Sequence, residues 1–104
     1  MVPMKTTLEL VRAKRSQIER LLEARGAANA RVFGSVARGA ADERSDVDIL
    51  IDFREPGPQG FAYFGALDQL EQDLTRLLGT SVHVSVVEAA SPAGQRNLRE
   101  AVPL

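Results

Sequence analysis

The chain has 104 residues, 44% of them hydrophobic, which suffices for one small domain with a real core and leaves little room for a second. With 13 basic residues against 14 acidic ones and a pI near 5.8, a general nucleic-acid-binding surface is not expected. There is no cysteine for a disulfide framework or zinc knuckle. The opening MVPMKTTLEL lacks the apolar core of a signal peptide, and no run reaches the roughly 18 apolar residues of a membrane span, so a soluble cytoplasmic protein is expected.

Thr6, Thr7, Leu8 and Glu9 read as a capping box, the threonine hydroxyl taking a free amide of the first turn while Glu9 reaches back. The spacing of Leu8, Val11, Ile18, Leu21 and Leu22 predicts a helix over Thr7 to Arg25, stopped by Gly26. Asn29 to Phe33 reads as a short strand ending at Gly34, and residues 34 to 45 as a turn holding one helical turn at most. Asp46 to Phe53 is the best strand in the chain. Val47, Ile49, Ile51 and Phe53 alternate with Asp46, Asp48, Leu50 and Asp52, giving one apolar face and one mostly acidic face.

REPGPQG, residues 54 to 60, is a loop. Phe61 to Leu78 should be an amphipathic helix with Phe64, Leu67, Leu70, Leu74, Leu77 and Leu78 as its stripe and Gly79 as its end. Val82, Val84 and Val86 alternate with His83 and Ser85 in a third strand, and Ser91-Pro92 opens a short last helix running to about Ala101. Helix, strand, strand, helix, strand, helix implies an α/β (α+β) fold, a small mixed sheet with helices packed on it. The helix between the second and third strands permits a parallel crossover.

The chemistry concentrates between Arg31 and Phe53. Asp46 and Asp48 project to the same side of their strand, roughly 7 Å apart along the chain, where their carboxylates can converge on a cation and would otherwise repel one another. Mg²⁺ favours one or two carboxylates together with waters and phosphate oxygens, so the pair points to a phosphate-bearing co-ligand. Gly34-Ser35 complements it: glycine lets the backbone approach a phosphate, amides donate, the serine hydroxyl adds a donor, and Arg38 can balance charge. Taken singly these are a turn, a solvated strand face and a surface arginine. Their joint placement at two strand boundaries joined by a short loop is what favours a site.

GSVARGAADERSDVD fits Gly-Ser, ten intervening residues and Asp-x-Asp, and so resembles the DNA polymerase β-like nucleotidyltransferase superfamily. The ARG, the Ser45-Asp46 entry to the strand, the short length and the closing REAVPL are similar to the minimal nucleotidyltransferase group, whose members commonly act as antitoxins beside a HEPN-domain ribonuclease toxin. The resemblance implies Mg²⁺ on Asp46 and Asp48, and nucleotide binding by Gly34, Ser35, Arg38 and Ser45. It further implies attack of an acceptor hydroxyl on the α-phosphorus of ATP, the acceptor in related antitoxins being a tyrosine of the partner toxin. A complex with a HEPN-domain toxin, without membrane or direct nucleic-acid binding, follows as an expectation.

The superfamily commonly places a third carboxylate on the next strand, after a leucine-glycine helix end. Aligning LGTSVHVSVV on that pattern puts His83 there, a residue able to serve as a general base but a poorer Mg²⁺ ligand than a carboxylate. Asp52 shares the acidic face but lies roughly 13 Å beyond Asp48 along an extended strand, too far for the same metal site. The second reading is therefore a catalytically weakened or inactive antitoxin that neutralises its partner by direct binding.

Overall fold

The computed structural model describes residues 8–37, 39, 46–54, 60–87 and 99–104. Helices α1 (Leu8–Ala13) and α2 (Arg15–Ala24) lead into β1 (Ala27–Phe33), the single helical turn α3 (Gly34–Ala37) and β2 (Val47–Phe53). Then come α4 (Phe61–Leu78), β3 (Val82–Val86) and the two-residue β4 (Val102–Pro103). The strands form one sheet in the order β3-β2-β1-β4, with β1 antiparallel to β2 and β4, and β2 parallel to β3 through α4. This is the mixed sheet and parallel crossover expected from the order of elements.

Alternation in the strands decides which face is covered. Val32, Val47, Ile49, Ile51, Val82 and Val84 join Val11, Ile18, Leu22, Leu70 and Leu74 in one core, so the helices pack on that face of the sheet. Leu70 and Leu74 are 0% exposed at its centre. Leu70→Ala should destabilise the protein by about 2–5 kcal/mol, since the neighbours relax only partly around the space left. Urea unfolding should show a lower midpoint at unchanged slope.

Three departures from the sequence reading have clear causes. The single first helix is two: Lys14, at φ −105° and ψ 16°, breaks it, its amide donating to Val11 O at 3.1 Å while its Nζ donates to Leu77 O at 2.8 Å. That lysine satisfies a carbonyl in the last turn of α4, which has no helical partner. β1 starts earlier than Asn29 and carries a bulge between Ala28 and Arg31, where Asn29 adopts φ +58°. Phe64 is 69% exposed rather than part of the buried stripe, because at about 100° per residue it is Tyr63, two turns before Leu70, that faces the core side. Tyr63 packs on Phe53 with ring centroids 5.8 Å apart.

The capping box at Thr6 and most of the last helix lie outside the described residues. Arg99 and Glu100 are helical, and Val102–Pro103 pairs with β1, a strand that the sequence did not announce. Among the described residues no helix is long and apolar enough to cross a membrane.

β3 is an edge strand, and its outward amides are taken by α4. Val82 N donates to Thr75 Oγ1 and Val84 N to Glu71 Oε1, each at 3.1 Å. Two side chains one helical turn apart thus occupy donors that would otherwise template another strand.

Candidate active site

The site begins where β1 ends. Gly34 has φ +73°, a left-handed conformation natural to glycine, and it turns the chain out of the sheet into α3. Val36, 1% exposed within the core, pins that turn down. A Cβ placed on Gly34 would sit 2.5 Å from Asp48 Oδ2, closer than real Cβ atoms come to anything. The absence of a side chain is what lets the turn's backbone and the Asp48 carboxylate meet.

Register brings the rest together. Phe33 pairs with Asp48, and Asp48 with His83, so Asp48 and His83 stand side by side on adjacent strands with their side chains on the face opposite the helices. Asp46 lies one residue before β2, exposed, on the same side as Asp48 by strand alternation. At the edge, His83 Nδ1 lies 3.5 Å from Glu71 Oε1, the same oxygen that accepts from Val84 N. The two side chains are 68% and 32% exposed.

Asp52 belongs elsewhere. Its Oδ2 accepts from Asn29 Nδ2 at 3.1 Å and from an Arg31 terminal nitrogen at 3.3 Å, which ties it to the β1 bulge and away from the Asp48 row. The distance argument from the sequence and the observed partners therefore agree.

A divalent cation and a phosphate chain fit this arrangement. A cradle that a Cβ would fill leaves backbone and carboxylate in contact at one end of the sheet, with a second carboxylate one strand-repeat away. Among the described residues no three His, Asp or Glu side chains are grouped as a metal-binding cluster. A pair of carboxylates is what Mg²⁺ uses when phosphates and water complete its shell.

Of the residues singled out from sequence, Gly34, Asp48 and His83 are brought together, with Asp46 at the mouth of β2. Ser35 lies on α3, its side chain outside the described residues, as are Arg38 and Ser45. Sequence reasoning missed Glu71. Its one trace is the pairing of Glu71 with Thr75 at helical spacing on the flank of an apolar stripe, and nothing in that spacing says that both turn to a strand edge.

A glycine turn pressed on the Asp48 carboxylate, with a second carboxylate two residues before it, thus stands at one end of the sheet. The chain belongs to the nucleotidyltransferase domain family, whose profile matches residues 14–104. It is 43% identical over 74 residues to the protein adenylyltransferase MntA of Thermococcus cleftensis, covering 68% of each chain. It is 35% identical over 83 residues to a protein of Methanocaldococcus jannaschii assigned as a protein adenylyltransferase, covering 80% of each. A solved structure assigned to a minimal nucleotidyltransferase superposes with a TM-score of 0.77 at 38% identity, over 95% of this chain and 97% of that one. A toxin-antitoxin crystal structure with AMP-PNP shares the fold, with a TM-score of 0.66 at 21% identity over 85% of this chain and 69% of that one.

Proposed function

We propose that the protein transfers AMP from ATP to a tyrosine hydroxyl of a HEPN-domain toxin, as the antitoxin of that pair in the cytoplasm. The observation that carries this reading is the close approach of Gly34 to Asp48, which supports a backbone that takes phosphate beside a carboxylate that takes a cation. The adenylyltransferase names of relatives at 43% and 35% identity support the choice of AMP and of a protein acceptor. The toxin-antitoxin neighbour adds the shared fold.

In this reading Asp46 and Asp48 would hold Mg²⁺, which would supply positive charge against the negative charge of the phosphates. The amides of Gly34 and Ser35 grip the β and γ phosphates, and Arg38 and Ser45 belong to the same proposed nucleotide-binding set. The tyrosine oxygen bonds to the α-phosphorus in line as the bond to the bridging oxygen breaks, and pyrophosphate leaves with that electron pair. His83, beside Asp48 in the register, receives the tyrosine proton.

The labelling pattern tests it. With a HEPN-domain toxin encoded beside this chain, label from ATP marked at the α-phosphate should appear in the toxin and label from the γ-phosphate should not. Toxin neutralised without incorporation of either label would replace transfer by contact inhibition.

A further inference from the structure

Glu71 has two partners at the rim of the site. Its Oε1 accepts from Val84 N at 3.1 Å, which fixes the carboxylate on the edge of β3, and the same oxygen lies 3.5 Å from Nδ1 of His83. The strand amide therefore acts as an anchor for the carboxylate, and the carboxylate faces one particular nitrogen of the ring. His83 is in turn the register partner of Asp48, the carboxylate against which Gly34 is packed. A carboxylate within ion-pair distance of one ring nitrogen favours, by its charge, a proton on that nitrogen and leaves the other nitrogen as the acceptor.

We propose that Glu71 is a positioning residue, holding His83 with its proton on Nδ1 so that Nε2 accepts the proton of the attacking hydroxyl. The assignment rests on the transferase reading above. As the acceptor oxygen bonds to the α-phosphorus and pyrophosphate departs with the electrons of the bridging bond, the hydroxyl proton passes to the Nε2 lone pair. Glu71 takes no proton and touches no reacting atom. It sets which nitrogen is free and which way the ring faces, a dyad built from helix α4 and strand β3 where the wider superfamily commonly uses a carboxylate on the strand alone.

His83 is the only histidine in the chain, so a two-bond ¹H–¹⁵N spectrum of the imidazole, taken about two units above the ordinary histidine pKa near 6.5, reports its tautomer without ambiguity. The wild-type protein should show the Nδ1–H form, Glu71→Gln should keep it, and Glu71→Ala should shift it to Nε2–H. Thr75→Ala is the control: it removes the matching edge bond to Val82 N, and it should leave the tautomer and the transfer rate as they are.

In transfer assays Glu71→Ala should lower kcat by about tenfold, a fraction of the 10²–10⁴ of a general base, with KM for ATP unchanged. It should have no further effect in a His83→Ala background. Wild-type protein in the Nε2–H form, or a tautomer insensitive to Glu71→Ala, would overturn the assignment. So would a Thr75→Ala loss of kcat equal to that of Glu71→Ala, which would reduce Glu71 to an edge cap. If wild-type protein transfers nothing, the transferase reading fails, and the spectrum still decides whether Glu71 orients His83.

Discussion

Replacing Asp46 and Asp48 together by asparagine should abolish nucleotide transfer, by about three orders of magnitude, while the melting temperature should stay within a few degrees of the parent. The shape of each side chain is kept and the charge is lost, so the proposed cation site would lose both of its protein ligands at once. Neither residue belongs to the core: Asp46 is exposed and Asp48 half-buried on the face away from the helices. Removing two like charges on one strand face also relieves a repulsion. Titration calorimetry with a non-hydrolysable ATP analogue and Mg²⁺ should show the same loss of affinity for the metal-nucleotide pair. Transfer at the parental rate by the double variant would reject the metal assignment.

Gly34→Ala should lower kcat by about a hundredfold, the scale set by a displacement of roughly 1 Å at a reacting centre. The added methyl would lie 2.5 Å from Asp48 Oδ2, so either the carboxylate swings away or the turn shifts, and both outcomes would separate the backbone proposed to take phosphate from the proposed cation ligand. The left-handed φ of +73° adds a strain of about 1–2 kcal/mol for any residue with a Cβ. Gly26 separates the two effects. It has the same φ of +73° but nothing within 4 Å of a Cβ, so Gly26→Ala should lose similar stability and keep its activity. Equal activity loss in both variants would show that backbone strain, and not contact with Asp48, explains Gly34.

Much of the fold was readable because its signals are local. Phe61 to Leu78 is found with the expected bounds, since six apolar positions at helical spacing followed by glycine admit few other structures. β2 and β3 follow from alternation that only Leu50 interrupts, and their parallel pairing from the helix between them. The tertiary contacts escaped the sequence. The break at Lys14 exists because its side chain reaches a carbonyl of α4 some 63 positions along the chain, and no window around Lys14 contains that partner.

The site divides in the same way. Gly34, Asp46 and Asp48 stood out through their joint placement, a glycine turn and two carboxylates at strand boundaries joined by a short loop. That His83 neighbours Asp48 depends on the register of two strands, and that Glu71 holds His83 depends on the rotation of α4 over an edge strand. Asp52 shows the converse. It shares the acidic alternation, yet a bulge at Asn29 in the neighbouring strand gives it partners of its own.

The central claim, that this chain moves AMP onto a protein, is tested most directly by intact-mass spectrometry of both chains. The protein is incubated with ATP, Mg²⁺ and the toxin encoded beside it. The account predicts that the toxin gains the mass of one or more adenylyl groups, that the gain disappears with Asp46→Asn/Asp48→Asn, and that it maps to tyrosine. A tight complex of the two chains with both masses unchanged would contradict it.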